Sequence, residues 1–399
     1  MRITIVLGPF LPVPTVLGGA VEKVHLLLAG AYRDAGHDVT IVSRRYKDFA
    51  DQEIADGIRH IRIASTDRSA SLAVNLGLDL RYALRVARNL PPSDVTVTNS
   101  FFLPLVLPRR AAGKIYVQVG RFPKRQMFLY FRASRLQAVS SAIACAIGDQ
   151  APWLADKVAT IGYAIGEPYF TGWHDETREK VVLFVGRIAQ EKGIELLLKA
   201  FLSLQSDRAS DRFADWRLRI VGPHDTTQGG DGADYLGYLK NIAGPLGRRC
   251  EFVGPIFDQD ALIREYRKGA IFVYPSLAEL GEALPVAPLE AMAARCATVV
   301  SNLRCFDDYI DPGVTGLRFE HRDAAPEANL AAQLISLIEA PDRLQRIAEA
   351  GHRSACRFRT PAIAARMLDD FAGLLDERPH LSRARARRRR AASLRKKAP

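Results

Sequence analysis

Cysteine is scarce in this chain: five in 399 residues, with no C-x-x-C pair. Cys145, Cys250, Cys296, Cys305 and Cys356 are scattered, which argues against a disulfide framework or a thiolate metal site and for free thiols packed in a reducing cytosol. No run of about 18 uninterrupted apolar residues occurs, so no membrane-spanning helix is expected. The opening stretch MRITIVLGPFLPVP lacks the basic region, apolar region and small-residue cleavage site of a signal peptide, and reads instead as a buried first strand. The loop after that strand, GPFLPVPTVLGG, is not G-x-G-x-x-G, and the next strand ends in Ser43-Arg44 rather than in an acid for a ribose. Both absences weigh against a nicotinamide-dependent oxidoreductase. The adjacent pairs Asp307–Asp308 and Asp369–Asp370 do not have the spacing of D-x-D cation ligands. No metal and no other cofactor is expected.

Acidic residues are absent from 379–399, a stretch that holds nine Lys or Arg, so the other 378 residues carry only +3 of the net charge of +12. The basicity therefore belongs to a tail and not to the body. Without an apolar stripe the tail is expected to be disordered. Its competing uses are attraction to an anionic membrane surface, nonspecific nucleic-acid binding and solubility. Membrane association ranks first, at about 1 kcal/mol per basic residue near an anionic bilayer, and no specific nucleic acid is expected. These features place the protein in the cytoplasm, peripheral on the inner face of the membrane.

What the body does contain is an alternation of apolar strands and helical patterns. In the first half RITIVLG (2–8), DVTIVS (38–43), HIRI (60–63), DVTVT (94–98), KIYVQV (114–119), LQAV (136–139) and VATI (158–161) read as strands. A helix near 20–35 carries Val21, Val24, Leu27, Leu28 and Ala31 at helical spacing, which leaves His25 facing solvent; His37 reads as structural. The pattern dissolves at GYAIGEPYFTGWHDETRE (162–179) and restarts with KVVLFVG (180–186), WRLRIVG (216–222), CEFVG (250–254), AIFVYP (270–275) and ATVVS (297–301), with helices between them. The expected fold class is α/β, with two Rossmann-like doubly wound domains facing a cleft. The first domain spans 1–165, a hinge 166–179 and the second domain 180–360. A helix at 361–378 closes the fold, and the tail follows.

Two segments carry chemistry. SLAELGEALPVAPLEAMA (276–293) places Glu282 and Glu290 eight positions apart, around a helix expected to start at Pro285. The helix N-terminus offers N–H groups and positive dipole to a phosphate, while the carboxylates can accept from sugar hydroxyls. Spacing alone favours a plainer reading, in which Glu282 caps the helix and Glu290 makes a surface ion pair. VLFVGRIAQEKGIELLLKAF (182–201) ends a strand at Gly186 and sets Arg187 and Lys192 in the following loop, placed either to neutralise a diphosphate or as solvated cations.

In this order and about 90 residues apart, the two segments resemble the donor site of glycosyltransferase family 4, which has the GT-B fold. The resemblance implies a retaining glycosyltransferase that moves a hexosyl unit from a UDP- or GDP-sugar to a glycan or lipid-linked acceptor, without a metal. Arg187 and Lys192 match the G-R-x4-K-G segment that binds the donor diphosphate. Glu282 and Glu290 match the E-x7-E motif, Glu282 toward the transferred sugar and Glu290 toward the ribose. On this view Arg187, Lys192 and Glu282 are the catalytic group. Gly222 in IVGP, Val253 in FVGPI, Leu284, Pro285, Val286 and Ala287 line the donor site, with YPS (274–276), LEAMA (289–293) and VVSN (299–302) as further matches. LGGAVEKV (17–24) resembles the family's N-terminal glycine loop, where Gly18 and Gly19 let the backbone approach the donor phosphates. Pro285 stands where relatives have glycine and cannot donate, which shifts that role to Val286 and Ala287. The first-domain histidine of the family is absent from VQVGRFPKRQ (117–126), leaving its place to Gln118 or the adjoining loop. Arg121, Lys124 and Arg125 in that loop read either as the site of an anionic acceptor or as solvated charges. A nonhydrolysing sugar-nucleotide epimerase shares these expectations of fold and is the alternative.

Overall fold

The computed structural model describes residues 1–172, 178–206 and 210–376; the basic tail at 379–399 and part of the hinge lie outside them. The first half forms strands β1 (Arg2–Val6), β2 (Asp38–Arg44), β3 (Gln52–Ala55), β4 (Ile58–Ile63), β5 (Val95–Thr98), β6 (Lys114–Val119), β7 (Arg135–Ala138) and β8 (Val158–Thr160). They lie in the order β3-β4-β2-β1-β5-β6-β7-β8. The second half forms β9 (Glu179–Val185), β10 (Arg217–Val221), β11 (Cys250–Gly254), β12 (Gly269–Tyr274), β13 (Ala297–Ser301) and β14 (Leu317–Phe319), in the order β11-β10-β9-β12-β13-β14. Every pairing is parallel except β3 with β4. Central strands buried on both faces explain the near-continuous apolar runs: Ile3, Ile5 and Val6 in β1 and Val181 to Phe184 in β9 are all buried. Strand order reverses at β1 in the first sheet and at β9 in the second, and the loops leaving those strands flank the cleft where such sheets bind ligands.

Two local features differ from the sequence expectation. Strand β3 was not foreseen, although Asp56 and Gly57, both at positive φ, form the two-residue hairpin turn that joins it to β4. His25 is not solvent-facing. In the first helix (Ala20–Asp34), His25, Leu28, Ala29 and Tyr32 are all buried, so positions i, i+3, i+4 and i+7 form the inward face and the imidazole lies on it.

The last helix (Thr360–Asp376) follows the second domain in sequence but packs on the first. Phe371 sits edge-on to Tyr32 and Tyr116, with centroids 5.8 and 4.9 Å apart. Asp370 accepts from the Tyr116 hydroxyl at 2.8 Å and pairs with Arg135 at 2.7 Å. Further bonds join the halves directly: Ser140 Oγ donates to the Ala283 carbonyl at 2.6 Å, and the Ser141 amide to Asp308 at 2.7 Å. Cys296 and Cys305 are buried, and all five cysteines are free thiols.

Candidate active site

The loop leaving β9 turns through Gly186 and Arg187 into a single 3-10 turn, Gln190–Lys192, and then into the helix Ile194–Ser206. Gly193 links the turn to the helix in the left-handed region, with φ 67°, and a Cβ there would lie 2.0 Å from the Pro275 carbonyl oxygen. That close approach pins the loop after β9 to the loop after β12, and the Leu277 amide donates to the Glu191 carbonyl across the junction at 2.8 Å.

The junction turns Lys192 inward. Its Nζ lies 2.5 Å from Glu282 Oε1, and both residues are only 6% exposed. The same oxygen accepts from the Tyr274 hydroxyl at 3.0 Å and from Ser276 Oγ at 2.8 Å. Burial first, and then the adjacent Glu282 carboxylate, push the Tyr274 phenol well above its ordinary range, so it stays a neutral donor. A buried carboxylate with three donors on one oxygen is a fixed, charge-compensated acceptor.

Glu290 lies further along the helix Val286–Ala293 and is 7% exposed. Its Oε2 accepts from the Tyr266 hydroxyl at 3.0 Å, and its Oε1 lies 2.8 Å from Nζ of Lys23, which belongs to the first domain. Spacing alone suggested a helix cap and a surface ion pair, but Glu282 makes no cap bond to this helix and Glu290 is buried. Pro285 is the N-cap of this helix rather than its first residue. Because Pro285 and Pro288 have no N–H, Val286 and Ala287 supply the N–H groups of the first turn. Leu284 is buried beside them, whereas Val286 and Ala287 are half-buried.

Arg187 is more open. Its guanidinium pairs with Glu191 at 2.7 Å and donates to the Gly229 carbonyl, on the loop after β10. Gly222 brings that loop against Gly186: its amide donates to the Gly254 carbonyl at 2.9 Å, and a Cβ would lie 1.8 Å from the Gly186 carbonyl oxygen. Val253 sits half-buried on the edge strand β11, apart from the Lys192–Glu282 pair.

In the first domain Gly19 is the N-cap of the first helix, but the space beside it is taken. A Cβ on Gly19 would lie 2.4 Å from Glu22 Oε2, so a buried carboxylate rests over the helix end. Burial raises the pKa of Glu22, opposed by its own backbone amide and by Arg121. Gly18 borders the ring of Phe257 from the second domain. Gln118 is buried, its oxygen 3.1 Å from His25 Nε2 and its nitrogen donating to Gln137 at 3.3 Å, so its polar groups are spent inside the domain. Lys124 and Arg125 are exposed, and neither joins the Lys192–Glu282 cluster.

The sequence reading gave no individual role to Lys23, Tyr266, Tyr274 or Ser276, although Lys23 lies in LGGAVEKV and Tyr274 and Ser276 in YPS. For Tyr274 and Ser276, a spacing of two at the end of a buried strand is a usable signal. Nothing local connects Lys23 to a carboxylate 267 positions away.

Residues 170–354 match the family described as glycosyl transferases group 1. Residues 170–354 are a domain of that group, and the protein is a glycosyltransferase. The glycosyltransferase is 22% identical over 385 residues to spore coat protein SA of Bacillus subtilis, covering 89% of this chain and 94% of that one. It is 29% identical over 192 residues to the phosphatidyl-myo-inositol mannosyltransferase of Mycobacterium tuberculosis, a match that spans 47% of this chain and 46% of the relative. Its fold is GT-B. Anabaena Alr3699/HepE in complex with UDP and glucose superposes with a TM-score of 0.69 at 17% identity, covering 92% of this chain and 99% of that one.

Proposed function

We propose that this glycosyltransferase moves a hexosyl unit from a UDP- or GDP-sugar to a glycan or lipid-linked acceptor, with retention at the anomeric carbon, in bacterial polysaccharide or glycolipid assembly. The observation that carries the reading is the buried Lys192–Glu282 pair at the junction of the loops leaving β9 and β12. Lys192, Tyr274 and Ser276 all act on Oε1 of Glu282, which leaves Oε2 for a sugar hydroxyl. Arg187, Lys192 and the N–H groups of Val286 and Ala287 supply the positive charge that a departing diphosphate needs. In the reaction, the bond between the anomeric carbon and the diphosphate oxygen breaks and its electron pair leaves with the diphosphate. The acceptor oxygen forms the new bond, and its proton passes to the diphosphate. With the charge supplied by these groups, the step calls for no metal.

A lipid-linked acceptor, approached from the cytoplasmic face of a membrane, fits a second feature. Phe128, Phe131 and Trp153 are each more than half exposed, on two turns joined by bonds from Lys157 Nζ to the Phe131 and Ala133 carbonyls, beside exposed Lys124 and Arg125. Among the described residues no helix is long and apolar enough to cross a membrane, so this face and the basic tail are the means of attachment in this reading.

The test is slow donor hydrolysis across UDP-, GDP-, ADP- and dTDP-sugars, read as released nucleoside diphosphate. One donor is expected to be consumed by the wild type, and Lys192→Ala and Glu282→Ala are expected to slow its consumption about 100-fold or more. Consumption that ignores both substitutions would remove the site assignment. A sugar nucleotide altered at the hexose without release of diphosphate would instead indicate an epimerase.

A further inference from the structure

Glu290 draws its partners from both halves of the chain. Lys23 stands near the start of the first helix, just after the Gly18–Gly19 loop, and reaches across the cleft to Oε1 of Glu290 at 2.8 Å. The same ammonium lies 3.2 Å from the Tyr169 hydroxyl and 5.0 Å from the centre of that ring. Tyr169 in turn packs edge-on against Tyr266, the second donor to Glu290, with centroids 5.7 Å apart. Burial, reinforced by the Glu290 carboxylate, raises both phenols well above their ordinary range, so they act as neutral donors. The side chains of Lys23 and Glu290 are 25% and 9% exposed, which shields the pair from the screening that weakens surface ion pairs.

We infer that Lys23 is a donor-positioning residue supplied by the first domain: it fixes the Glu290 carboxylate for the ribose of the nucleotide. This rests on the reading of Glu290 as the ribose acceptor. A carboxylate offers about four lone-pair sites. Lys23 and Tyr266 occupy one on each oxygen and the Tyr169 hydroxyl also bonds the carboxylate, which orients the group and leaves it capacity for a ribose hydroxyl. Because Lys23 comes from the opposite domain, the ribose site is complete only when the domains are together. Nucleotide affinity and domain closure are then coupled through one ion pair.

Isothermal titration of the full chain with UDP, GDP and ADP identifies the tightest of the three, and the same base is then offered as its 2′,3′-dideoxy diphosphate. Glu290→Ala and Lys23→Met are each expected to weaken binding of the ribose form about ten- to a hundredfold, as for loss of one hydrogen bond to a charged group. Binding of the dideoxy form should be unchanged in both. Lys23→Arg should restore most of the lost affinity, and the double variant Lys23→Met/Glu290→Ala should bind no more weakly than Glu290→Ala alone. A Lys23→Met variant that weakens both forms equally, or adds its full effect to Glu290→Ala, would mean a contact to the diphosphate or a general tie between the domains. Either result, or no effect of Lys23→Met, would overturn the inference and leave the ribose reading standing. If Glu290→Ala failed to distinguish the two forms, or none of the three nucleotides bound, the ribose reading would fall and the inference with it.

Discussion

His25 sits in the interior of the first domain, 3.1 Å from Gln118, and burial lowers its pKa to about 4. In the unfolded chain an imidazole titrates near pH 6.5. Between about pH 6.5 and pH 4 the unfolded state therefore holds the extra proton, and stability falls as pH falls through that window. The contribution is complete above pH 6.5. By pH 4.5 roughly 2–3 kcal/mol of it is lost. Thermal melts between pH 7.5 and pH 4.5 should show a decline in the wild type that is shallower in His25→Gln. Parallel curves would mean that His25 titrates alike in the folded and unfolded states. The other lowered histidines, His37, His60 and His352, are common to both proteins and drop out of the difference. At this scale the identities of Arg187, Lys192, Glu282 and Glu290 were legible as motif positions. Their partners were not, because Tyr274, Ser276, Tyr266 and Lys23 meet them only through tertiary contact.

Turns decide the site at the scale of elements. Strand-to-helix loops after β9, β10 and β12 must touch for Lys192 to reach Glu282, and glycines permit the contact. Gly193→Ala would force a Cβ into the Pro275 carbonyl at a positive φ, so both the backbone and the neighbouring loop have to move. We expect a loss of about 1–3 kcal/mol in stability, together with slower donor hydrolysis, since Lys192 precedes the displaced residue. Thermal melting and the hydrolysis assay read the two effects. A variant with unchanged melting and hydrolysis would show that the loop contact is not required. Most elements were legible from period and punctuation, including every parallel strand except the three-residue β14. Strand β3 escaped because QEIA is short and polar at an exposed edge, even though Asp56-Gly57 marks its turn. The first helix was placed correctly but its buried face was misjudged, since the stripe through Leu28 runs back to a histidine.

Over the whole molecule, the last helix binds the end of the chain to its beginning. Phe371 is fully buried between Tyr32 and Tyr116. Phe371→Ala should cost about 3–5 kcal/mol, the usual range for deleting a buried ring. A melting temperature equal to that of the wild type would show that the helix does not hold the first domain. The helix also carries Asp370, whose bonds to Tyr116 and Arg135 lie on β6 and at the start of β7. A segment that follows the second half in sequence is thereby fixed to the first sheet.

Local pattern was sufficient for two alternating α/β series, for most of the elements within them and for the charged motifs of the candidate site, because periodicity and strand-to-helix loops are short-range properties of the chain. Only the tertiary structure decided which charges are buried and with whom. Lys23 meets Glu290 across 267 positions, Glu22 covers the end of its own helix, and Gln118 is spent on His25 rather than left facing the cleft. Desolvation and pairing depend on distance in space, and no spacing along the chain encodes that distance.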